Sequence, residues 1–336
     1  MNSNNNEFVK NPKGKIRVYA CGGCGSNIGS ILEKHRNQDE VGFGTLDIVY
    51  IDTSLSNYKE HMNKSNAYLI EGLDGSGKVR AENHEEINNR VKAILQQFKP
   101  ADLNIIISSA AGGSGSVLSP LITKELLSNG YTAIVLAIGS ADTRLDTENS
   151  LKTIKSFESI AMKLQIPVVM KYVQNSSATS RLEADLIIYN TVNSLVCLFS
   201  REHRELDSKD LANWLNYSKV TTFPIQLASL TIVGNNDSLS ELGGIISVAT
   251  LSKEGTSTAL IEMPEYQCVG FLPKDINSVL LEKAPIHFVI SDFVIPEATK
   301  YLQKILSTLS AAQAARIKRN SILTENDHTE DSGLVL

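Results

Sequence analysis

Cysteine is scarce in this chain of 336 residues, and the four present are poorly placed for a metal or a disulfide framework. Cys21 and Cys24 form a C-x-x-C whose middle is Gly-Gly, while Cys197 and Cys268 stand alone with no His or Cys at ligand spacing. All four read as reduced thiols, the first two as small residues in a glycine turn. An excess of positive charge is also missing: 32 Lys and Arg face 37 Asp and Glu, a net charge of −5. That balance excludes a general nucleic-acid or membrane-surface binder, since both need a basic field. Nowhere does an apolar run reach the ~20 residues of a membrane-spanning helix. The polar start, Met1 to Asn6, carries neither a signal-peptide nor a lipidation pattern. A soluble, cytoplasmic protein of about two domains is expected.

What the chain does have is a loop of small residues, Ala110 to Ser116, caught between two kinds of apolar pattern. Leu103-Asn104-Ile105-Ile106-Ile107-Ser108 before it is a β-branched run that predicts a strand buried on both faces. Val117 to Leu127 after it has helical spacing and stops at Asn129-Gly130. Strand, glycine turn and helix make a phosphate cradle, because glycines let backbone N–H groups approach a pyrophosphate and the helix start adds partial positive charge. The same turn also serves simply to let helix and sheet pack closely.

A second such unit opens the chain. Ile16-Arg17-Val18-Tyr19-Ala20 predicts a strand, Gly22-Gly23-Cys24-Gly25-Ser26-Asn27 a turn, and Ile28 to His35 a helix. Further strands are expected at 46–51, 133–138 and 167–173, with helices at 84–98 and 147–163, an alternation that means a parallel, doubly wound sheet. A helix over Leu182–Phe199 follows, then a strand-rich stretch at 226–233, 245–251, 268–272 and 286–290, and a terminal helix over Ala298–Arg319, basic at its end through Arg316, Lys318 and Arg319. Two glycine patterns are weaker. Gly72-Leu73-Asp74-Gly75-Ser76-Gly77-Lys78 satisfies G-x-x-x-x-G-K, but Val79 offers no hydroxyl for Mg²⁺ and Ala67 to Ile70 makes a poor buried strand. Gly23 to Gly29 fits a relaxed dinucleotide pattern with Asp52 in the ribose position, although a nicotinamide site has no need of a second cradle.

Asp207 and Asp210 stand three apart at the start of the helix that carries Trp214. By spacing alone they are ordinary helix-start residues. A carboxylate pair on one helical face is also able to orient and polarise a water, or to hold one on Mg²⁺. The end of the chain places Glu325, Asp327, Glu330 and Asp331 before an apolar Leu334-Val335-Leu336, which fits either a solvated end or a segment that docks.

With these residues assembled, the chain resembles the tubulin/FtsZ superfamily of self-assembling GTPases, and within it the phage tubulins of the PhuZ type. Ala111-Gly112-Gly113-Ser114-Gly115-Ser116 is similar to the tubulin signature loop, with Ser114 where Thr is usual and Val117 where a final Gly is usual. Gly113 to Leu118 matches the phage group's version, and the likeness runs over nearly the whole chain, including Leu206 to Trp214 and the acidic end. The resemblance implies an α/β fold with a flexible arm (1–14), a doubly wound parallel-sheet GTP-binding domain (15–181) and a long central helix (182–200). After these it implies a smaller sheet-containing second domain (201–295), a C-terminal helix (296–320) and an acidic tail (321–336). Gly22, Gly23, Cys24, Gly25 and Asn27 would line the first nucleotide loop, Asp52 the second, and Gly75 and Gly77 the third. Ala111, Gly112, Gly113, Ser114, Gly115 and Ser116 would form the fourth, with Asn175 and Asp185 where the family reads guanine. Asp207 and Asp210 fall where the family carries the catalytic carboxylates that complete a neighbouring subunit's GTPase site. GTP or GDP with Mg²⁺ is the implied cofactor. The implied partner is the chain itself, in a homopolymer joined through the nucleotide and the C-terminal tail, with neither nucleic acid nor membrane. The implied setting is the host cytoplasm, where similar phage proteins position the viral replication compartment. Two other readings stay open: a Rossmann-type NAD(P) oxidoreductase, and a non-hydrolysing structural filament protein that has kept only the fold.

Overall fold

Along the first strand, β1 (Lys15–Cys21), Ile16, Val18 and Ala20 face one core cluster while Tyr19 and Cys21 face another, and all five are buried. A strand covered on both sides has no polar face to show, which is why its sequence reads as an unbroken apolar run. The computed structural model describes residues 13–36, 44–234, 242–255, 264–272 and 285–317. The expected arm, the acidic tail, Lys318 and Arg319 therefore lie largely or wholly outside the described residues.

The first part of the chain alternates as the sequence predicts. After β1 come α1 (Gly22–Arg36), β2 (Thr45–Asp52), β3 (Ala67–Leu69), α2 (His84–Gln97), β4 (Leu103–Ser109), α3 (Ser114–Ser128), β5 (Ala133–Ser140), α4 (Arg144–Leu164) and β6 (Val168–Asn175). Then follow α5 (Arg181–Leu198), α6 (Ser208–Leu215), β7 (Leu227–Val233), β8 (Ile245–Lys253), β9 (Tyr266–Leu272), β10 (Ile286–Ser291) and α7, which starts at Val294 and is described to Ile317. The strands lie in the order β3-β2-β1-β4-β5-β6-β7-β10-β8-β9. From β3 to β7 every neighbouring pair is parallel. Helices α1, α5 and α6 bury their apolar residues on one face; α2 and α3, and farther along α4 and α7, cover the other.

The order 3-2-1-4-5-6 reverses direction between β1 and β4, and ligands of doubly wound sheets sit outside the carboxyl ends at that reversal. Helix α5 sits beneath this region. It is opened by a capping box, in which Ser180 Oγ accepts from the Glu183 N–H and Glu183 Oε2 accepts from the Ser180 N–H at 2.7 Å. It buries Ala184, Ile188, Val192 and Leu195, the spacing of one helical face.

Two features go beyond the sequence expectation. The strands expected of a second domain extend the first sheet: β7 pairs parallel with β6 over Leu227 to Ser229 and then antiparallel with β10 over Ser229 to Val233. Pairing there occupies the N–H and C=O groups that β6 would otherwise show as an open edge. The helices, in turn, begin earlier than their apolar periodicity. Helix α1 starts at Gly22 and α3 at Ser114, so both glycine turns are largely the first turns of helices.

The reason is close packing. A Cβ on Gly25 would lie 2.5 Å from the carbonyl oxygen of Ile107 and 2.7 Å from the carbonyl carbon of Ala20, so α1 presses on β1 and β4 where no side chain fits. Gly112 is different, its Cβ meeting Ser109 at an ordinary 3.5 Å. Gly25→Ala should therefore destabilise the fold by about 1–3 kcal/mol in denaturant unfolding without ligand. Gly112→Ala should stay within about 0.5 kcal/mol of the unmodified protein.

Candidate functional site

Strands β1 and β4 are neighbours in register, Cys21 opposite Ser108; β1 runs straight into α1, and β4 reaches α3 through residues 110–113. The two helix starts touch: a Cβ on Gly22, whose φ is +68°, would sit 2.9 Å from the backbone N of Gly115, and one on Gly115 would sit 2.7 Å from the carbonyl oxygen of Cys21. Two sets of unpaired N–H groups and two positive dipole ends thus face one volume, an anion site built from backbone. That volume is a cleft of about 390 Å³, lined by Gly22, Gly23, Cys24, Gly112, Gly113, Ser114 and Gly115, with Asp52 and residues 74–78 opposite.

The walls are tied together. Asp52 Oδ2 accepts from Asn57 Nδ2 at 2.9 Å, and burial pushes its carboxyl up while that bond and those from the Thr53 and Ser54 backbone hold it down. Thr53 Oγ1 hydrogen-bonds Ser114 Oγ. The third loop sits directly on the fourth, since a Cβ on Gly113 would fall on the Ser76 hydroxyl. Gly75 has φ +73° and donates its N–H to the Thr53 carbonyl at 3.2 Å, and its own carbonyl accepts from Asn83. Lys78, at φ +67°, reaches across to Asp146 Oδ1 at 2.6 Å, and Asn149 Nδ2 donates to the carbonyls of both Lys78 and Ala111.

Beyond Cys24 and Gly112 the cleft continues into a second lobe of about 320 Å³, lined by Asn27, Ala111, Gly139, Ser140, Asp146, Asn175, Arg181 and Asp185. Asn27 Nδ2 donates to Asp185 Oδ2 at 2.8 Å. Burial pushes the Asp185 carboxyl up, against the Asn27 hydrogen bond and the charges of Lys59 and Arg181. The Cys24 thiol is pushed up to about 12, first by burial and then by Asp185, and all four cysteines are free. A protonated thiol is a poor nucleophile, and Cys24 contributes instead to the walls of both lobes.

Of the residues singled out in the sequence, Gly25 and Ser116 do not line either lobe. Gly25 is a packing position, and Ser116 Oγ is spent on the carbonyls of Gly112 and Gly113. Ser54, Ser56, Asn57, Ser76, Asp146, Asn149 and Arg181, which line or brace the cleft, carried no sequence signal beyond polarity.

Asp207 and Asp210 lie at the other end of the sheet. Asp207 borders a depression of about 440 Å³ with Asp102, Thr132, Arg201 and His203, and Asp102 and Thr132 immediately precede β4 and β5. The cleft is at the carboxyl ends of those same strands, so about 25 Å of sheet separates the two at ~3.3 Å per residue. The two carboxylates form a capping box for α6. Asp207 Oδ1 accepts from the N–H of Lys209 at 2.7 Å and of Asp210 at 2.9 Å, and Asp210 Oδ2 accepts from the Asp207 N–H at 3.1 Å. The Asp210 and Lys209 N–H groups hold the Asp207 carboxyl below the usual carboxylate range, so it stays ionised.

The profile of the phage tubulin-like protein C-terminal domain matches residues 206–295, a span that holds both carboxylates. A phage tubulin-like protein of Pseudomonas phage PhiPA3 is 30% identical over 325 residues, covering 96% of this chain and 99% of the relative. The chain belongs to the phage tubulin-like proteins. Among solved structures, the protofilament of TubZ from bacteriophage PhiKZ is 28% identical to this phage tubulin with a TM-score of 0.84, covering 96% of this chain and 99% of that one. The phage tubulin PhuZ with GDP is 25% identical with a TM-score of 0.84 over the same shares. Membership sets aside the oxidoreductase reading of the first glycine turn. No helix among the described residues of this phage tubulin is long and apolar enough to cross a membrane.

The cap geometry bears on any test of the carboxylates in this phage tubulin. Asp207→Ala removes the side-chain acceptor of two N–H groups and should lower the unfolding temperature, whereas Asp207→Asn, which keeps an acceptor but not the charge those N–H groups favour, should lower it less. A thermal melt of both variants checks this, and only Asp207→Asn is then suited to kinetic work.

Proposed function

We propose that this protein is a GTPase that polymerises head to tail, each active site being completed by the next copy. The observation that carries the reading is the placement of the backbone anion cleft and the carboxylate pair, Asp207 exposed and Asp210 half-buried, at opposite ends of the parallel part of one sheet. A single copy cannot bring them together; two copies stacked end to end can. The glycine turns at 22–24 and 112–115 would hold the phosphates through N–H groups. Asn27, Asn175 and Asp185 fit the base, guanine being the choice that the PhuZ structure with GDP supports. The cleft fits such a ligand because a Cβ at Gly22, Gly113 or Gly115 finds no room in its walls. Among the described residues no three His, Cys, Asp or Glu converge on a metal, so Mg²⁺ would be held by phosphate oxygens and water. GTP, when bound, supplies the scissile phosphoanhydride. Asp207 and Asp210 of the neighbouring copy would orient and polarise the attacking water, catalysis by positioning and charge. The cellular role carried over with the family, placing the phage replication compartment in the host cytoplasm, is supported by family membership alone.

Phosphate release per molecule should rise with protein concentration through the assembly threshold, as followed by light scattering. Asp210→Ala should still bind GTP and assemble but lose about a hundredfold or more in hydrolysis. A rate per molecule that stays flat across the threshold overturns the shared site. Assembly without phosphate release returns the non-hydrolysing filament.

A groove of opposite charge supports the docking reading of the tail. Arg80, His84, Lys124 and Lys163 line a groove of about 270 Å³ between α2, α3 and α4, floored by Val117, Pro120, Leu121, Ile160 and Leu164, with no carboxylate in its lining. Arg80 is held there by the Asn149 carbonyl and the Thr153 and Ser156 hydroxyls. The acidic run with its apolar tip fits this groove on a neighbouring copy. Deleting residues 325–336 should leave GTP binding intact and raise the critical concentration severely, Lys124→Glu with Lys163→Glu should do the same, and added salt should mimic both. Normal polymer yield from the truncated protein returns the tail to a solvated end.

A further inference from the structure

One face of α1 is fastened to the turn that follows β2. Asn27, Ser30 and Glu33 stand three residues apart, and each meets one residue of 59–63. Lys59 Nζ donates to Asn27 Oδ1 at 2.8 Å, Ser30 Oγ hydrogen-bonds His61 Nε2 at 2.7 Å, and Glu33 Oε2 accepts from the Asn63 N–H at 3.4 Å. Met62 of this turn is 2% exposed in the main core, and its carbonyl accepts from Tyr58 Oη at 3.1 Å. Lys59 is exposed, yet it leaves the chain from an anchored turn and its ammonium ends on the Asn27 side chain.

The Asn27 amide is thereby placed between a cation and an anion, with its oxygen on Lys59 and its nitrogen on Asp185 Oδ2. Turned over, it would present oxygen to a carboxylate and NH₂ to an ammonium, two repulsive contacts in place of two charge-assisted bonds. Lys59 thus decides which end of the amide faces the second lobe. Guanine shows two donors, N1–H and the 2-amino group, beside one acceptor, O6. A carboxylate next to an amide N–H is the complement of that edge, and an amide carbonyl in the same place is not.

We propose that Lys59 is a positioning residue for base selection, holding the Asn27 amide so that Asn27 and Asp185 together accept the guanine edge. The inference rests on the guanine-nucleotide reading of the cleft. Its test is the affinity of the full-length protein for GDP and for ADP, whose 6-amino donor stands where guanine has the O6 acceptor, measured by calorimetry for the unmodified chain, Lys59→Met and Lys59→Arg. Lys59→Met should weaken GDP more than ADP and shrink the preference for GDP by about tenfold, the worth of one hydrogen bond. Lys59→Arg, which keeps the charge and donors, should retain most of the preference. A preference unchanged in Lys59→Met, an equal loss for both nucleotides, or Lys59→Arg behaving like Lys59→Met overturns the inference and leaves the nucleotide reading standing. Absence of GDP binding by the unmodified chain overturns that reading and this inference with it.

Discussion

Gly22 and Gly115 touch where no side chain fits, and the cleft depends on that contact. A Cβ at either position would meet backbone of the opposite strand-to-helix turn, within 2.9 Å at Gly22 and 2.7 Å at Gly115. Backbone yields less readily than a side-chain tip, so the alternative to glycine is a wedge between the carboxyl ends of β1 and β4. Because the turns do close, two helix starts converge on one volume, and the other walls are seated against them. Ser76 occupies the space of a Gly113 side chain, Thr53 bonds Ser114, and Asn149 ties the third loop to Ala111. The anion site is therefore part of the packed core and pre-formed, which lowers what a ligand must spend on ordering it.

The parallel sheet then dictates where everything else can be. Strand-to-helix turns lie at the carboxyl ends and helix-to-strand turns at the amino ends, and α6 enters at the amino ends behind α5. Its first turn is held against the loops before β4 and β5, with Arg201 Nη2 on Asp102 Oδ1 at 2.8 Å and Arg201 itself in the left-handed region at φ +61°. Caps and water-positioning groups are often treated as competing explanations for acids at a helix start. On the proposed reading they are the same atoms: the N–H groups that Asp207 caps also keep it charged, and the reciprocal bond from Asp210 fixes the angle between the two carboxylates.

The alternating strands and helices were legible because each element carries its own period, and the cleft was legible because glycine clusters follow two of the strands. What could not be read is what depends on residues far apart in the chain. Gly22 to Asn27 looks like a loop because glycine is a poor helix former; the helix begins there only because α1 packs on β1 and β4. The joining of β6 to β7 rests on Val168 to Met170 meeting Leu227 to Ser229 across nearly sixty residues, for which no local pattern exists. Asp146 and Asn149 read as ordinary residues of a helix start, and Lys59 as an exposed charge, until the fold set them beside Lys78 and Asn27.

The G-x-x-x-x-G-K run at 72–78 shows why a pattern needs its surroundings. In a phosphate loop of that kind the lysine stands at the start of a helix and its ammonium reaches into the anion site. Here the preceding strand, β3, is a three-residue edge strand, and the next helix does not begin until His84. Lys78 takes a left-handed backbone, and although it lines both lobes its ammonium ends on Asp146, a carboxylate only 3% exposed. A buried carboxylate without a counter-charge is costly, so the lysine is committed to it. The run's work passes instead to its glycines, which let the loop fold back on Gly113, and to Lys78 as a strap between the third loop and α4. On the proposed reading the anion is left to the two helix starts, a division of labour that two glycine turns on neighbouring strands make possible.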